Sequence, residues 1–416
     1  MEGREGGDQG RFRAAFNWNT TLLIFGGIIV SVPIGFLLVS LPVYLQRLPV
    51  FETETTLIGV VLTATGVTAV ALMVPVGLMA DRFGRRRVLI LGGLSASLSL
   101  FLLGFADSFL GVLVFAILFG IAEAFYFTTW NALLADASSE RTRTTVFGVS
   151  FTASALGMAA GTLLAIFADG AMLLGATPQA AYQPLFFLQG GLLLAIPALI
   201  PLLRLPRRER VRERGFLPAE SRRVIARFFA ANILIGFGAG IIVPLFSLWF
   251  LFQFGVGEAF TGPLFAVSSV VNAVAFLVAP SIAKRVGLIR SVVALQAAAT
   301  LVLFLIPAAA AFGALALLLV SVLFVVRNAL MNMTWPVLTS FLMGAVDVDA
   351  RSAASAVTAV SFRLPFALSA TLGAYLLTVD LAIPFYLTGI LYAVGTVAFW
   401  AFFRDYYTSG TDSAGV

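Results

Sequence analysis

Two residue types are missing from this 416-residue chain altogether. There is no cysteine, which excludes disulfides, thiol nucleophiles and iron–sulfur ligation. There is no histidine, which removes the commonest metal ligand and the side chain that titrates nearest neutral pH. Zinc chemistry and hydrolysis of the Ser-His-Asp kind are excluded with them. Lysine is nearly absent: of 26 basic residues, all but Lys284 are arginine. Charge of either sign is scarce. Asp, Glu, Lys and Arg make up 11% of the chain, against roughly a quarter in a water-soluble domain. No GxxxxGK[ST] phosphate loop occurs, so nothing points to ATP hydrolysis, and no cofactor is implied.

What is present is apolar. Hydrophobic residues make up 60% of the chain and the mean hydropathy is +1.02. An ordinary soluble fold cannot clothe itself from this composition, and a disordered chain is poor in apolar residues. A polytopic membrane protein remains. The net charge of +6 is not a nucleic-acid signal, because the basic residues sit between apolar spans.

A helix needs about 20 apolar residues to cross a bilayer. Apolar runs set against charged and Gly/Pro breaks give twelve segments: 16–45, 55–80, 87–106, 109–134, 144–168, 182–203, 224–252, 260–283, 290–308, 313–343, 353–378 and 382–403. The first follows Arg4, Arg11 and Arg13 without a small-residue cleavage site, and reads as a retained helix. With the N-terminus cytoplasmic, 23 of the 26 basic residues fall on the cytoplasmic side. Arg47 alone falls outside, and Arg327 and Arg363 fall within spans. This asymmetry predicts a multi-pass protein of the plasma (cytoplasmic) membrane with both termini inside.

Residues 204–223 form the one long charged stretch, with eight arginines and three glutamates. They read as a solvated cytoplasmic linker, with binding to anionic lipid as the alternative. The chain then divides into an N-terminal bundle at 1–203, the linker at 204–223 and a C-terminal bundle at 224–416. A faint repeat supports two equivalent halves. Asp81-Arg82-Phe83-Gly84-Arg85 and Lys284-Arg285-Val286-Gly287-Leu288 stand 203 residues apart, and Thr129-Trp130-Asn131 and Thr334-Trp335-Pro336 stand 205 apart.

The run Gly77-Leu78-Met79-Ala80-Asp81-Arg82-Phe83-Gly84-Arg85-Arg86 resembles the GxxxDRxGRR signature of the major facilitator superfamily, in the loop between helices two and three where that family carries it. With the twelve spans and the degenerate second copy, the resemblance covers nearly the whole chain. It implies an all-α integral membrane fold of two pseudo-symmetric six-helix bundles. It also implies secondary transport of a small molecule by alternating access, with Gly77, Asp81, Arg82, Gly84, Arg85 and Arg86 as a gating latch. Gly77 would let two helices approach closely, and the arginines would otherwise only hold the loop inside. The drug:proton antiporter branch usually has a helix-four arginine where this chain has Ala116, and a Gly-Pro-x-x-Gly that here is Gly157-Met158-Ala159-Ala160-Gly161. The sugar-porter signature is absent.

Charges at midspan are costly, about 2.5–3.5 kcal/mol at a helix centre on insertion scales, and so mark sites. Three lie well inside the spans: Glu123, Arg327 and Arg363. The resemblance puts helices four and ten on the central cavity, hence Glu123 and Arg327 on facing walls. Glu123 reads either as a partner of an ion pair with Arg327 or as a titrating group that couples transport or holds a cation. Without histidine, a midspan proton carrier has to be a carboxyl group, and in this count Glu123 is the one available. The two arginines favour a carboxylate or phosphate instead. Weaker cavity candidates are Tyr126, Trp130, Asn131, Asn232, Trp249, Asn328, Asn332 and Trp335. Pro244 and the string from Gly236 to Gly240 mark bends or close contacts.

Three functions follow as expectations: proton-coupled export of drug-like or metabolite molecules, carriage of an organic anion by Arg327 and Arg363, and a non-transporting receptor or scaffold on the same fold. The expected partners are a small-molecule substrate, protons and the bilayer. A monomer is expected, with no nucleic acid, no metal and no enzymatic centre.

Overall fold

A computed structural model of the chain describes residues 17–139, 142–204, 218–347 and 351–404. Arg4, Arg11, Arg13, Arg141 and linker residues 205–217 lie outside the described residues. Those described form helices and no strands. In hydrocarbon a helix satisfies its own backbone, which is what these apolar runs require. Among the described residues, twelve helices are long and apolar enough to cross a membrane: α1 Trp18–Gln46, α2 Thr56–Phe83, α3 Arg85–Phe105, α4 Phe109–Ala137, α5 Thr145–Leu173, α6 Pro178–Leu202, α7 Glu220–Phe254, α8 Glu258–Val286, α9 Leu288–Ala309, α10 Gly313–Ala345, α11 Ala354–Val379 and α12 Ile383–Phe403.

Local chemistry sets their ends. Asn17, Ser108 and Thr177 cap α1, α4 and α6, each side chain accepting a backbone N–H three residues on. Pro244 sits in a 3-10 segment, Val243–Leu245, that interrupts α7. Gly84 and Gly287 turn the chain between α2 and α3 and between α8 and α9, both at φ +93°. A side chain at that φ would be strained.

The same helix pairings occur twice. α1 packs on α5 as α7 packs on α11, α3 on α4 as α9 on α10, and α3 on α6 as α9 on α12. Glycines close the first pairing in each case. A Cβ at Gly161 would lie 1.9 Å from the Val32 carbonyl oxygen, and one at Gly240 would lie 1.9 Å from that of Phe366. With Gly236 set against Phe362, the glycine string of α7 is a contact surface.

The chain forms two compact units. The first comprises Met1–Thr53, Val67–Arg210 and Glu258–Ala266; the second comprises Glu54–Gly66, Val211–Gly257 and Val267–Val416. Each has its own apolar core. In the first, Leu23, Trp130, Leu133, Leu134 and Val146 pack together. In the second, Phe228, Val292, Val337, Phe341 and Phe399 do so. Apolar ridges such as Leu318, Val322 and Val326 on α10 are left exposed, as lipid-facing surface should be.

The span count stands, but the ends move. Apolar runs place the fifth span's end at 168 and the eighth's start at 260. The helices run to Leu173 and from Glu258. Two acids, Asp169 and Glu258, are therefore parts of spans and not of loops.

Candidate transport site

Each unit encloses a cavity beside one of the midspan charges. In the first unit Glu123, half-buried on α4, lines a space of about 40 Å³. Val30, Pro33 and Ile34 of α1, Leu89 and Gly93 of α3, and Ile196 of α6 form its other walls, with Phe119, Tyr126 and Phe127 of α4. Apart from Glu123 and the Tyr126 hydroxyl, the lining side chains are hydrocarbon. At that volume the space is smaller than a drug-sized molecule, but its wall offers one carboxyl group and several aromatic faces, the combination that meets the charged end of an organic cation.

Trp130, one turn beyond Tyr126, does not line this cavity. Its ring packs 5.0 Å from that of Tyr126 and fills the space over Gly26 and Gly27; a Cβ at Gly26 would lie 2.6 Å from it. It is a core wedge. Asn131 is exposed and lines no cavity described here.

In the second unit a polar cavity of about 90 Å³ opens beside Arg327. Arg327 is 3% exposed. Its Nη2 donates to the Tyr392 hydroxyl at 2.7 Å and its Nη1 to Asn328 Oδ1 at 2.9 Å. The guanidinium lies over the rings of Phe246 and Tyr392, at 5.8 and 5.6 Å. Its Nε is buried without a hydrogen-bond acceptor. All these partners are neutral. A buried guanidinium held by neutral groups has an unused donor, so the cavity can receive an anionic group.

Asn232, Asn328, Asn332 and Trp335 line the same cavity. Asn232 Nδ2 donates to Ser361 Oγ at 2.8 Å, Asn328 Nδ2 to Ser268 Oγ at 3.2 Å, and Asn332 Nδ2 to the Asn328 carbonyl at 2.9 Å. Trp335 packs edge-on against Phe362. Arg363 is half-buried and is not among the lining residues. Trp249 is also elsewhere, in an aromatic cluster with Phe250, Phe254 and Phe385, its indole N–H donating to the Leu381 carbonyl at 3.0 Å.

At the loop between α2 and α3, Arg85 forms an ion pair with Asp136 at the end of α4. Arg82 lies over the Phe83 ring. The close approach expected at Gly77 is not present: a Cβ there would meet the Thr128 methyl at an ordinary 3.7 Å. Sequence reasoning missed Tyr392 and Phe246, the groups that hold Arg327. Neither stands out in an aromatic-rich span. It also missed the acids that hold Arg47, although the isolation of that arginine was itself a signal.

Twelve apolar helices in a repeated six-helix pattern, each half with an internal charged cavity, define a polytopic membrane transport protein. The family model described as Major Facilitator Superfamily matches residues 23–370, and the chain belongs to that superfamily of transporters. It is 24% identical over 388 residues to Multidrug resistance protein 1 of Bacillus subtilis (strain 168), covering 91% of this chain and 95% of that one. Among solved structures it is similar to the nucleoside transporter NupG, at a TM-score of 0.71 and 14% identity over 93% of this chain and 100% of that one. A point variant of NupG gives 0.72 and 14% over 92% and 99%. At that identity the likeness shows the shared fold.

Proposed function

We propose that this transporter exports lipophilic small molecules, organic cations among them, in exchange for protons, by alternating access, with Glu123 as the coupling carboxylate. The observation that carries the reading is the cavity of the first unit, where Glu123 is the one charged side chain on a hydrocarbon wall. A carboxylate can take up a proton or meet a cation. A proton and an organic cation are alternative ways to neutralise it, and competition between them for one group is the basis of exchange. The drug-resistance name of the Bacillus relative supports the substrate class. The arginine distribution supports a plasma-membrane location with cytoplasmic termini.

A thermal-shift panel on purified protein tests this reading. Ligands that bind the folded state raise its melting temperature by mass action. Lipophilic cations should stabilise the protein, more at alkaline than at acid pH, and Glu123→Gln should remove the effect. Stabilisation by cations that persists in Glu123→Gln contradicts it.

A second reading rests on Arg327, whose neutral partners and unused Nε suit an organic anion. Carboxylates or phosphate esters would then stabilise the protein, and Arg327→Ala would remove their effect. Arg363 enters that reading only as a further cation in α11, since it does not line the cavity.

A further inference from the structure

Arg47, Asp169, Tyr182 and Glu258 meet at the ends of α1, α5, α6 and α8, all within the first unit. Arg47 Nη2 lies 2.9 Å from Asp169 Oδ1 and 3.0 Å from Glu258 Oε2. Its Nη1 donates to the Tyr182 hydroxyl at 2.7 Å and contacts Met172 Sδ at 3.4 Å. The Tyr182 hydroxyl in turn donates to Glu258 Oε1. Asp169 Oδ2 accepts the backbone N–H of Ala259 at 2.6 Å and so caps the first turn of α8. The Glu258 side chain is wholly buried.

Two carboxylates share one guanidinium nitrogen here, leaving a surplus of one negative charge in the cluster, whose Arg47 and Asp169 are partly exposed and whose Glu258 is not. The donors are unevenly divided. Asp169 has Arg47 and a helix N–H, whereas Glu258 Oε2 lies near Arg47 without a well-directed hydrogen bond. That oxygen is where a proton settles the surplus. A further ionisable group alongside is Tyr44 of α1. Its ring lies 4.8 Å from that of Tyr182, its hydroxyl 3.5 Å from the Ala106 carbonyl, and Asp107 is within electrostatic reach of it.

We propose that Glu258 is a proton-binding site, separate from Glu123, and that its protonation loosens the hold of α1 on the first turn of α8. The step is the addition of one proton to Oε2, giving a neutral carboxylic acid. Arg47 then keeps Asp169 as its carboxylate partner in the cluster and Tyr182 as its acceptor, and Glu258 loses its ionic hold on α1. The contact with Ala106 puts this cluster at the end of the unit away from the Gly84 turn, so an acidic medium on that face controls it whatever Glu123 does.

The chain has no cysteine, so one introduced thiol reports alone. Ala168 is fully buried next to Asp169, and Leu174 is exposed. Maleimide labelling of Ala168→Cys, in protein purified into lipid nanodiscs, is measured against pH and divided by the rate at Leu174→Cys to cancel thiol ionisation. The ratio should rise by about tenfold between about pH 8 and about pH 5, as one ionic tie is lost. In Glu258→Gln it should be high and flat. Tyr182→Phe keeps the ring and removes the donor to the ionised carboxylate, so the midpoint should move to higher pH. A flat ratio in the parent protein, or a rise that survives in Glu258→Gln, overturns the proposal. If Glu258→Gln does not fold, an unmoved midpoint in Tyr182→Phe overturns it. The labelling reads no transport, so its outcome is independent of the export reading.

Discussion

Replacing Gly240 by alanine puts one methyl group into one of the tightest helix contacts of the second unit. The added Cβ would stand 1.9 Å from the Phe366 carbonyl oxygen and 2.2 Å from Ser369 Oγ. Carbon and oxygen normally approach to about 3.3 Å, so α7 and α11 must separate by over an ångström along this seam. The obstacle is backbone, which cannot rotate away as a side chain does. Overpacking of this kind costs about 1–3 kcal/mol, and rigid backbone on both sides argues for the upper end. A loss of about 3 kcal/mol lowers the melting temperature of a unit of this size by roughly 6–12 °C. Gly191→Ala in α6 is the control, because nothing lies within 4 Å of its Cβ position. The assay is thermal unfolding of the purified variants in one detergent. Gly161→Ala should match Gly240→Ala, since its Cβ meets the Val32 carbonyl at the same 1.9 Å. A Gly240→Ala melting temperature equal to that of Gly191→Ala would refute the packing argument.

Other consequences are open to the same kind of test. Gly84→Ala and Gly287→Ala should each lower thermal stability by about 1–3 kcal/mol, because both positions hold φ +93°; no loss in either would show that the turns relax freely. Ser361→Ala leaves the buried Asn232 amide without its partner and should destabilise by about 1–3 kcal/mol, with Asn232→Ala, Ser361→Ala together less damaging than the sum of the two. Reversing the Arg85–Asp136 pair, as Arg85→Asp with Asp136→Arg, should restore transport lost in either single variant; failure of the rescue would reduce the pair to a loop anchor. Tyr392→Phe removes the 2.7 Å bond to Arg327 and should weaken any anion-induced stabilisation without abolishing it.

The spans were legible because a bilayer demands long apolar runs, and nothing else in the chain imitates them. Their ends were not, because the polar first and last turns of a helix do not register as apolar. Asp169 and Glu258 were lost from the reading for that reason. The pairing of Gly84 with Gly287 was visible as a weak repeat and reappears as one backbone geometry. Side-chain direction was not legible. Trp130 looked like a cavity residue but fills a core, Trp249 lines a separate space with Gln253 and Pro307 and not the one beside Arg327, and Gly77 looked like a close contact but has room beside it. Glu123 and Arg327 could be singled out because midspan charge is rare. Their surroundings could not, because one charged side chain in a run of valine and phenylalanine does not reveal which neighbours from other helices come to meet it.

The proposed exchange depends on one carboxyl group in a hydrocarbon-walled cavity. The most direct test reconstitutes the protein and Glu123→Gln into liposomes and follows a fluorescent lipophilic cation under an imposed pH gradient and, separately, under a substrate gradient at uniform pH. Glu123→Gln should lose accumulation driven by the pH gradient. Accumulation of the cation by Glu123→Gln at the parent rate, under the pH gradient alone, would contradict it.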